Sequence, residues 1–447
     1  MKIRTVFTGA QIVRAIACPC IPVVAFGALS APALAQRYDP FDQLGSLRAS
    51  DNPLDDERPD SVTGRPRPEY AAVPIQAGSL QIMPQVLVGL EADSNVYAVD
   101  DGRTSDAILT FRPRISVSRP SPVFSWSVAG EYAGARYFDL TEENRDDYAF
   151  RGGVQYQIGS NTVFIARALQ ARNSEQRSSP DSVAGIVRPN RFHVTEAYGD
   201  LSHTFNRVSI RGTVDFERVN YIDNFNGAGE IIDQDFRDRS TVTGNLILEY
   251  TVSPSFALFA AGSANKRDYR TRTDLVPARD SKGYELALGS SFEISRLMHG
   301  TIRVGYMRQN YEDPLFNDRR SLLVRGEVAY YLTPLVTLTA KVDRRTAETG
   351  VREAAGYVRT NASLRADYEL KRNLLLHLEA GNEHRSFVSL DRKDNRFSAS
   401  FGSTWLLSPR WSVRTDFSHR RQNSSGTLPG REFHDNQVSI GVVFKGL

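Results

Sequence analysis

From Leu80 to the end of the chain, apolar and polar side chains alternate with a period of two. The stretch VSIRGTVDF sets Val208, Ile210, Gly212, Val214 and Phe216 on one face and Ser209, Arg211, Thr213 and Asp215 on the other. LVTLTAKVD divides the same way, with Val336, Leu338, Ala340 and Val342 against Thr337, Thr339, Lys341 and Asp343. VRTNASLRADYEL sets Ala362, Leu364, Ala366 and Tyr368 against Asn361, Ser363, Arg365, Asp367 and Glu369. Successive side chains of a strand leave on opposite faces, so the pattern predicts strands with one apolar and one polar face. No window competes for a helix.

The interruptions are of two kinds. Short ones fall near Pro122, Ser160, Asn206, Pro254, Met298, Pro334, Arg372 and Pro409, spaced 36 to 48 residues apart. Four of them read Ser-Pro or Thr-Pro. Proline cannot donate to a ladder, and its fixed φ suits the first corner of a turn. Between the short breaks lie longer polar loops, among them LTEENRDD, NSEQRSSPDSVAGIVRPN and NSSGTLPGREFHD. Short turns on one side and long loops on the other predict nine hairpins and eighteen strands.

Two other architectures share part of this signature. A propeller blade packs four short strands into a repeat of about 40 residues, whereas here each repeat holds two long ones. A soluble sandwich would not carry Arg, Asp and Glu at successive inward positions. Each apolar face has about the 9–11 residues a tilted strand needs to cross a bilayer. Apolar-out, polar-in alternation at that length belongs to outer-membrane barrels. The expected fold class is therefore all-β: a transmembrane antiparallel up-and-down β-barrel of about 18 strands, with short periplasmic turns and long extracellular loops. It must close, because an open edge in lipid would leave backbone groups unpaired. Tyr132, Tyr156, Tyr250, Tyr284, Tyr330, Tyr368, Phe401, Trp405 and Trp411 stand near the ends of the outward faces, where an aromatic girdle belongs. The last strand, QVSIGVVFKGL, resembles the C-terminal signal by which barrel proteins are inserted, with Leu447 where an aromatic is usual.

The N-terminus changes the reading of composition. Residues 1–35 carry Lys2, Arg4 and Arg14, an apolar run, and Ala33-Leu34-Ala35. That is a signal peptide with expected cleavage before Gln36. Both cysteines, Cys18 and Cys20, lie inside it, so the mature chain is expected to lack thiols. Its three basic residues leave as well, and 55 − 3 = 52 Lys and Arg then face 52 Asp and Glu. A neutral mature chain gives no argument for nucleic-acid binding. Residues 36–79, rich in Pro, Asp and Arg without an apolar period, are expected to be a flexible periplasmic N-terminal segment. The barrel then occupies 80–447, and the location is the bacterial outer membrane.

The polar faces supply the candidate lumen lining: Arg112, Arg114, Arg211, Asp215, Glu217, Arg325, Glu327, Lys341, Asp343, Arg359, Arg365, Asp367, Glu369, Glu379, Arg414 and Asp416. Opposed charges of this kind neutralise one another along a wall, or bind a polar solute weakly at many points, as conduction requires. Lysine is scarce, seven against 48 arginines. The flat donor fork of Arg suits carboxylate or sugar partners. No catalytic motif, cofactor site or metal spacing is present: there is no G-x-S-x-G and no P-loop. His377 and His384 are not spaced as a ligand pair on a strand. The chain reads as no enzyme.

Several stretches carry a family resemblance: RPEY (67–70), DSNVY, ARYFD followed by ENRDDY, SSPDS in the third long loop, and FNRVSIRGTVDF. The chain resembles the outer-membrane β-barrel porins of alphaproteobacteria often associated with exopolysaccharide or capsule export, over roughly residues 65–447. The resemblance implies a passive conduit for a polysaccharide, working with periplasmic polysaccharide-export components. Outer-membrane lipid, lipopolysaccharide and the barrel assembly machinery are its other expected partners. A general diffusion porin for small hydrophilic solutes and a structural or adhesive barrel are the alternatives. The third long loop, residues 173–190, separates the first two: folded inward it makes the constriction of a diffusion porin, folded outward it favours the conduit.

Overall fold

A computed structural model describes residues 61–182, 185–270 and 279–446. The expected signal peptide (residues 1–35), residues 36–60 and Leu447 lie outside the described residues. Eighteen long strands form the wall. They are β1 (Leu80–Asp93), β2 (Asp106–Arg119), β3 (Phe124–Tyr137), β4 (Arg145–Ile158), β5 (Thr162–Ser174) and β6 (Arg191–Phe205). Then follow β7 (Val208–Ile222), β8 (Arg239–Ser253), β9 (Phe256–Tyr269), β10 (Ser281–Ile294), β11 (Met298–Tyr311) and β12 (Arg319–Thr333). The wall ends with β13 (Val336–Ala347), β14 (Tyr357–Lys371), β15 (Leu374–Phe387), β16 (Arg392–Leu406), β17 (Trp411–Gly426) and β18 (Phe433–Lys445).

Each strand pairs antiparallel with its sequence neighbours, and β18 returns to β1, from Gln85 opposite Lys445 to Asp93 opposite Gln437. Closure leaves no edge for lipid to meet. The outward faces carry the large apolar side chains, with Leu288, Leu286, Val214 and Leu364 among the most exposed. Aromatic pairs such as Phe124 with Tyr156 and Trp411 with Phe444 bridge neighbouring strands near the short-turn rim.

The short turns have a common construction. Ser253 pairs with Phe256 and Thr333 with Val336, each closing a two-residue turn one bulge after the regular ladder ends. A bulge there increases local twist and lets the chain reverse. In three of the four Ser/Thr-Pro turns the residue before proline serves as a hydroxyl cap. Thr333 Oγ1 accepts from the Leu335 amide at 3.2 Å, Ser408 Oγ from Trp411 at 3.2 Å, and Ser121 Oγ from Phe124 at 3.3 Å. At the turn after β10 no proline is present; Ser295 and Arg296 both adopt left-handed φ, 55° and 56°, as a primed two-residue turn demands.

Two features depart from the simple alternation. The inner face of β8 to β12 is not uniformly polar: Ile247, Phe259 and Ala261 pack together there, and Phe259 lies over the bare Gly289. Met307 and Leu323 join Ala287 in a second inward cluster. Residues 61–79, expected to be a flexible segment, are docked on the short-turn mouth. Val62 is fully buried and its amide donates to Thr337 Oγ1 at 3.0 Å. Residues 75–77 add a short strand to the start of β1.

Candidate functional site

The register puts all sixteen candidate lining residues on inward faces, because each directly opposes another inward residue. Examples are Arg359 opposite Arg385, Asp367 opposite His377 and Arg365 opposite Glu379. Eight of them, Glu217, Lys341, Arg359, Arg365, Asp367, Glu379, Arg414 and Asp416, line one cavity of about 990 Å³. The rest stand apart from it. Arg325 grips Asp343 at 3.0 Å, and Glu327 holds Lys341 at 3.2 Å. Arg211 is buried against Asp200, its Nε donating to Oδ2 at 3.0 Å. Asp215 is buried on the same strand, and Arg112 and Arg114 stand opposite Leu87 and Gln85 on the β1–β2 pair.

Within the cavity the charges are laid out in pairs. Arg365 forks onto Asp367 at 2.8 Å and reaches Glu379 at 3.3 Å. His377 Nε2 meets Asp416 Oδ2 at 3.1 Å. His384, seven positions on and so on the outer face, bonds instead to Asn395. The imidazoles do not converge.

At the short-turn end the cavity is bounded by Thr63 and Arg67 of the N-terminal segment. Both Arg65 and Arg67 donate to Glu369 Oε2, at 2.8 and 2.7 Å. Arg372 returns the clasp, donating to Glu69 at 2.8 Å and to the Pro66 carbonyl at 2.7 Å. Glu369 is thus the anchor of the segment rather than a free lining group.

At the opposite end lies the third long loop, residues 175–190, and it folds inward. Glu175, Gln176 and Ser178 to Asp181 line the cavity. Arg237, from the loop before β8, forks onto Glu175 at 2.7 and 3.2 Å while its guanidinium sits 3.8 Å over the Tyr221 ring. At the tip, Asp181 Oδ1 accepts from Thr349 Oγ1 at 2.7 Å and from the Gly350 amide at 2.8 Å. Gly350 lets the Arg237 guanidinium pack against the backbone, since a Cβ there would stand 2.8 Å from Arg237 Cζ and push the side chain aside. Arg177 is buried on Glu143, with Nε 3.0 Å from Oε2. Arg396 donates to the Ser178 carbonyl, and Arg431 donates to the Arg177 carbonyl at 3.1 Å.

Electrostatics hold this latch. Burial alone would raise the Glu175 carboxyl, but the Arg237 guanidinium outweighs it and keeps the group below the usual glutamate range. Glu348, in the loop after β13, behaves alike: Arg267 and Arg239 overcome burial and hold its carboxyl low. Glu175, Arg237, Glu348 and Asp181 escape sequence reasoning, since loops have no face to read. Arg239, Arg267, Glu383, Arg385, Arg396 and Arg420 also line the cavity, and their strand parity carried the same signal as that of Arg365.

Asp223, Asp233 and Asp235 bring carboxylate oxygens within 4.8 Å of one another on the exposed loop after β7. Two of them are engaged in capping that loop, Asp223 accepting from the Gln234 amide at 3.0 Å and Asp233 from Asp235 at 2.7 Å.

Residues 67–446 match the protein family described as "Putative beta-barrel porin 2". Among solved structures, the chain is similar to the siderophore receptor PirA from Pseudomonas aeruginosa, at 12% identity and TM-score 0.43, covering 82% of this chain and 80% of that one. PirA from Acinetobacter baumannii gives 7% identity and TM-score 0.46, covering 81% and 80%. The outer membrane protein opdK from Pseudomonas aeruginosa gives 9% identity and TM-score 0.44, covering 81% and 98%. No curated protein matches the chain.

Proposed function

The chain belongs to this β-barrel porin family, an outer-membrane pore, and on that premise we propose that it passes small hydrophilic solutes by diffusion. The observation that carries the reading is the inward third loop, tied to Arg396 on the wall strand β16 and to Thr349, Gly350 and Arg431 on neighbouring loops. A loop laid across the lumen narrows it to solute size. Multi-site, weak polar contacts along the charged wall then favour passage over retention.

The polysaccharide conduit suggested by the sequence resemblance asks for more. Both the loop latch and the N-terminal clasp on Glu369 would have to leave the lumen together to admit a chain. Liposome swelling with the purified protein separates the two readings. Monosaccharides are expected to enter and long oligosaccharides to be excluded, and deleting residues 176–186 is expected to raise the size limit. A deletion strain that loses surface polysaccharide while keeping small-solute uptake would replace the diffusion reading with the export one.

A further inference from the structure

The mature sequence balances its charges, but the cavity does not. Thirteen Arg and Lys side chains line it against eight Asp and Glu, an excess of 13 − 8 = 5 that falls to 5 − 4 = 1 when Glu369, Glu327, Asp343 and Asp435, which pair with lining cations from just outside it, are counted. The cations are concentrated on one wall, where Arg345 directly opposes Arg359 and Arg359 directly opposes Arg385 across three neighbouring strands. Like charges placed opposite one another on a sheet face repel. Such a row persists only where counter-charge offsets it.

The protein supplies part of that counter-charge. Asp343 lies 3.2 Å from Arg345, and Glu383 lies 2.7 Å from Arg359 and also holds Arg385. Asp394, across from Arg385, is taken by Arg392 at 2.7 Å. Arg420, two strands on, is held by Asp435. Arg396 stands between them, opposite Glu383 in the ladder, and its hydrogen bonds go to neutral acceptors: the Gln422 amide oxygen at 2.8 Å and the Ser178 carbonyl. Asp343, the partner of Arg345, is itself shared with Arg325, and Glu383 is divided between Arg359 and Arg385.

We propose that the pore selects anions, and that small carboxylate- or phosphate-bearing solutes are held on the wall formed by Arg345, Arg359, Arg385, Arg396 and Arg420. The proposal rests on the diffusion-pore reading and adds its solute class. Guanidinium forks match planar carboxylate and phosphate oxygens bidentately, and a cleft of one sign concentrates counter-ions. The partial pairing keeps the wall from holding an anion so tightly that it stops moving.

Reversal potentials in planar bilayers under a potassium chloride gradient test it. Chloride is expected to be more permeant than potassium by roughly tenfold, the low end of what a one-signed cleft does to local ion concentration. The preference should shrink in about 1 M salt, where screening acts within ~3 Å. Inorganic phosphate and citrate are expected to reduce the chloride current. Arg396→Glu with Arg420→Gln should abolish both effects, while Arg396→Lys should keep the anion preference and lose the citrate block. The gel shift of unheated barrel in detergent verifies that each variant is folded. Channels with equal or cation-leaning permeability would overturn the anion proposal and leave the pore standing. Folded protein with no conductance would overturn the pore reading and the proposal with it.

Discussion

At the scale of single residues, the lumen is governed by a few buried charges whose partners come from distant parts of the chain. Glu175 and Arg237 are the clearest case, both nearly excluded from solvent. Glu175→Gln would leave the Arg237 guanidinium buried and without its carboxylate, at a cost of about 3–5 kcal/mol to the docked loop. We expect larger single-channel conductance and new protease cleavage between residues 176 and 186. The wild-type latch should respond to acid with a definite sign. The carboxyl is held below its ordinary value when docked, so docking is favoured above the unfolded value of about 4.3 and lost as pH falls through the lower, docked one. Conductance is therefore expected to stay constant down to about pH 4.3 and to rise below it.

At the scale of elements, the strands and their two flanking segments divide the work. The strands are amphipathic in the plain sense, and the outward face pays for polarity steeply. Leu288→Arg, at one of the most lipid-exposed positions of β10, is expected to destabilise the barrel by about 2–4 kcal/mol, read as a shift in urea unfolding from lipid vesicles. The ionic conductance of the folded fraction should be unchanged. The N-terminal segment is clasped at the short-turn mouth, and Glu369 is its anchor. Glu369→Gln, or a chain lacking residues 61–70, is expected to raise conductance while the detergent gel shift of the folded barrel remains. Loss of the gel shift would mean that the segment is part of the wall instead.

The element scale is also where the sequence was most legible. Each of the eight short breaks, from Pro122 to Pro409, coincides with a short connection between paired strands, and a hydroxyl cap accounts for the Ser or Thr before proline at Pro122, Pro334 and Pro409. Period-two alternation located the inward charges because strand geometry makes the face of a side chain a local property. It did not foresee Phe259 or Met307 inside, since an apolar residue on the inner face looks like an interruption until Gly289 is seen beneath the ring.

At the scale of the whole molecule, closure makes the barrel and the ends decide what it admits. The sequence adds one expectation about processing: intact-mass measurement of protein from the outer membrane should give a chain beginning at Gln36, and a mass that retains Cys18 would refute cleavage there. The eighteen strands, their connections and the two chemical faces were determined by the sequence alone, because each depends on neighbours two or three residues apart. What only the tertiary structure decided is the state of the lumen. The third loop reaches partners 168 and 218 residues away in the chain, at Thr349 and Arg396, and the N-terminal segment reaches Glu369 across 302 residues. No local pattern encodes contacts at such separations. Whether a polar loop lies inside or outside a barrel is set by which buried charges it meets once the wall has closed, and here Arg237, Gly350 and Arg396 wait on the inside.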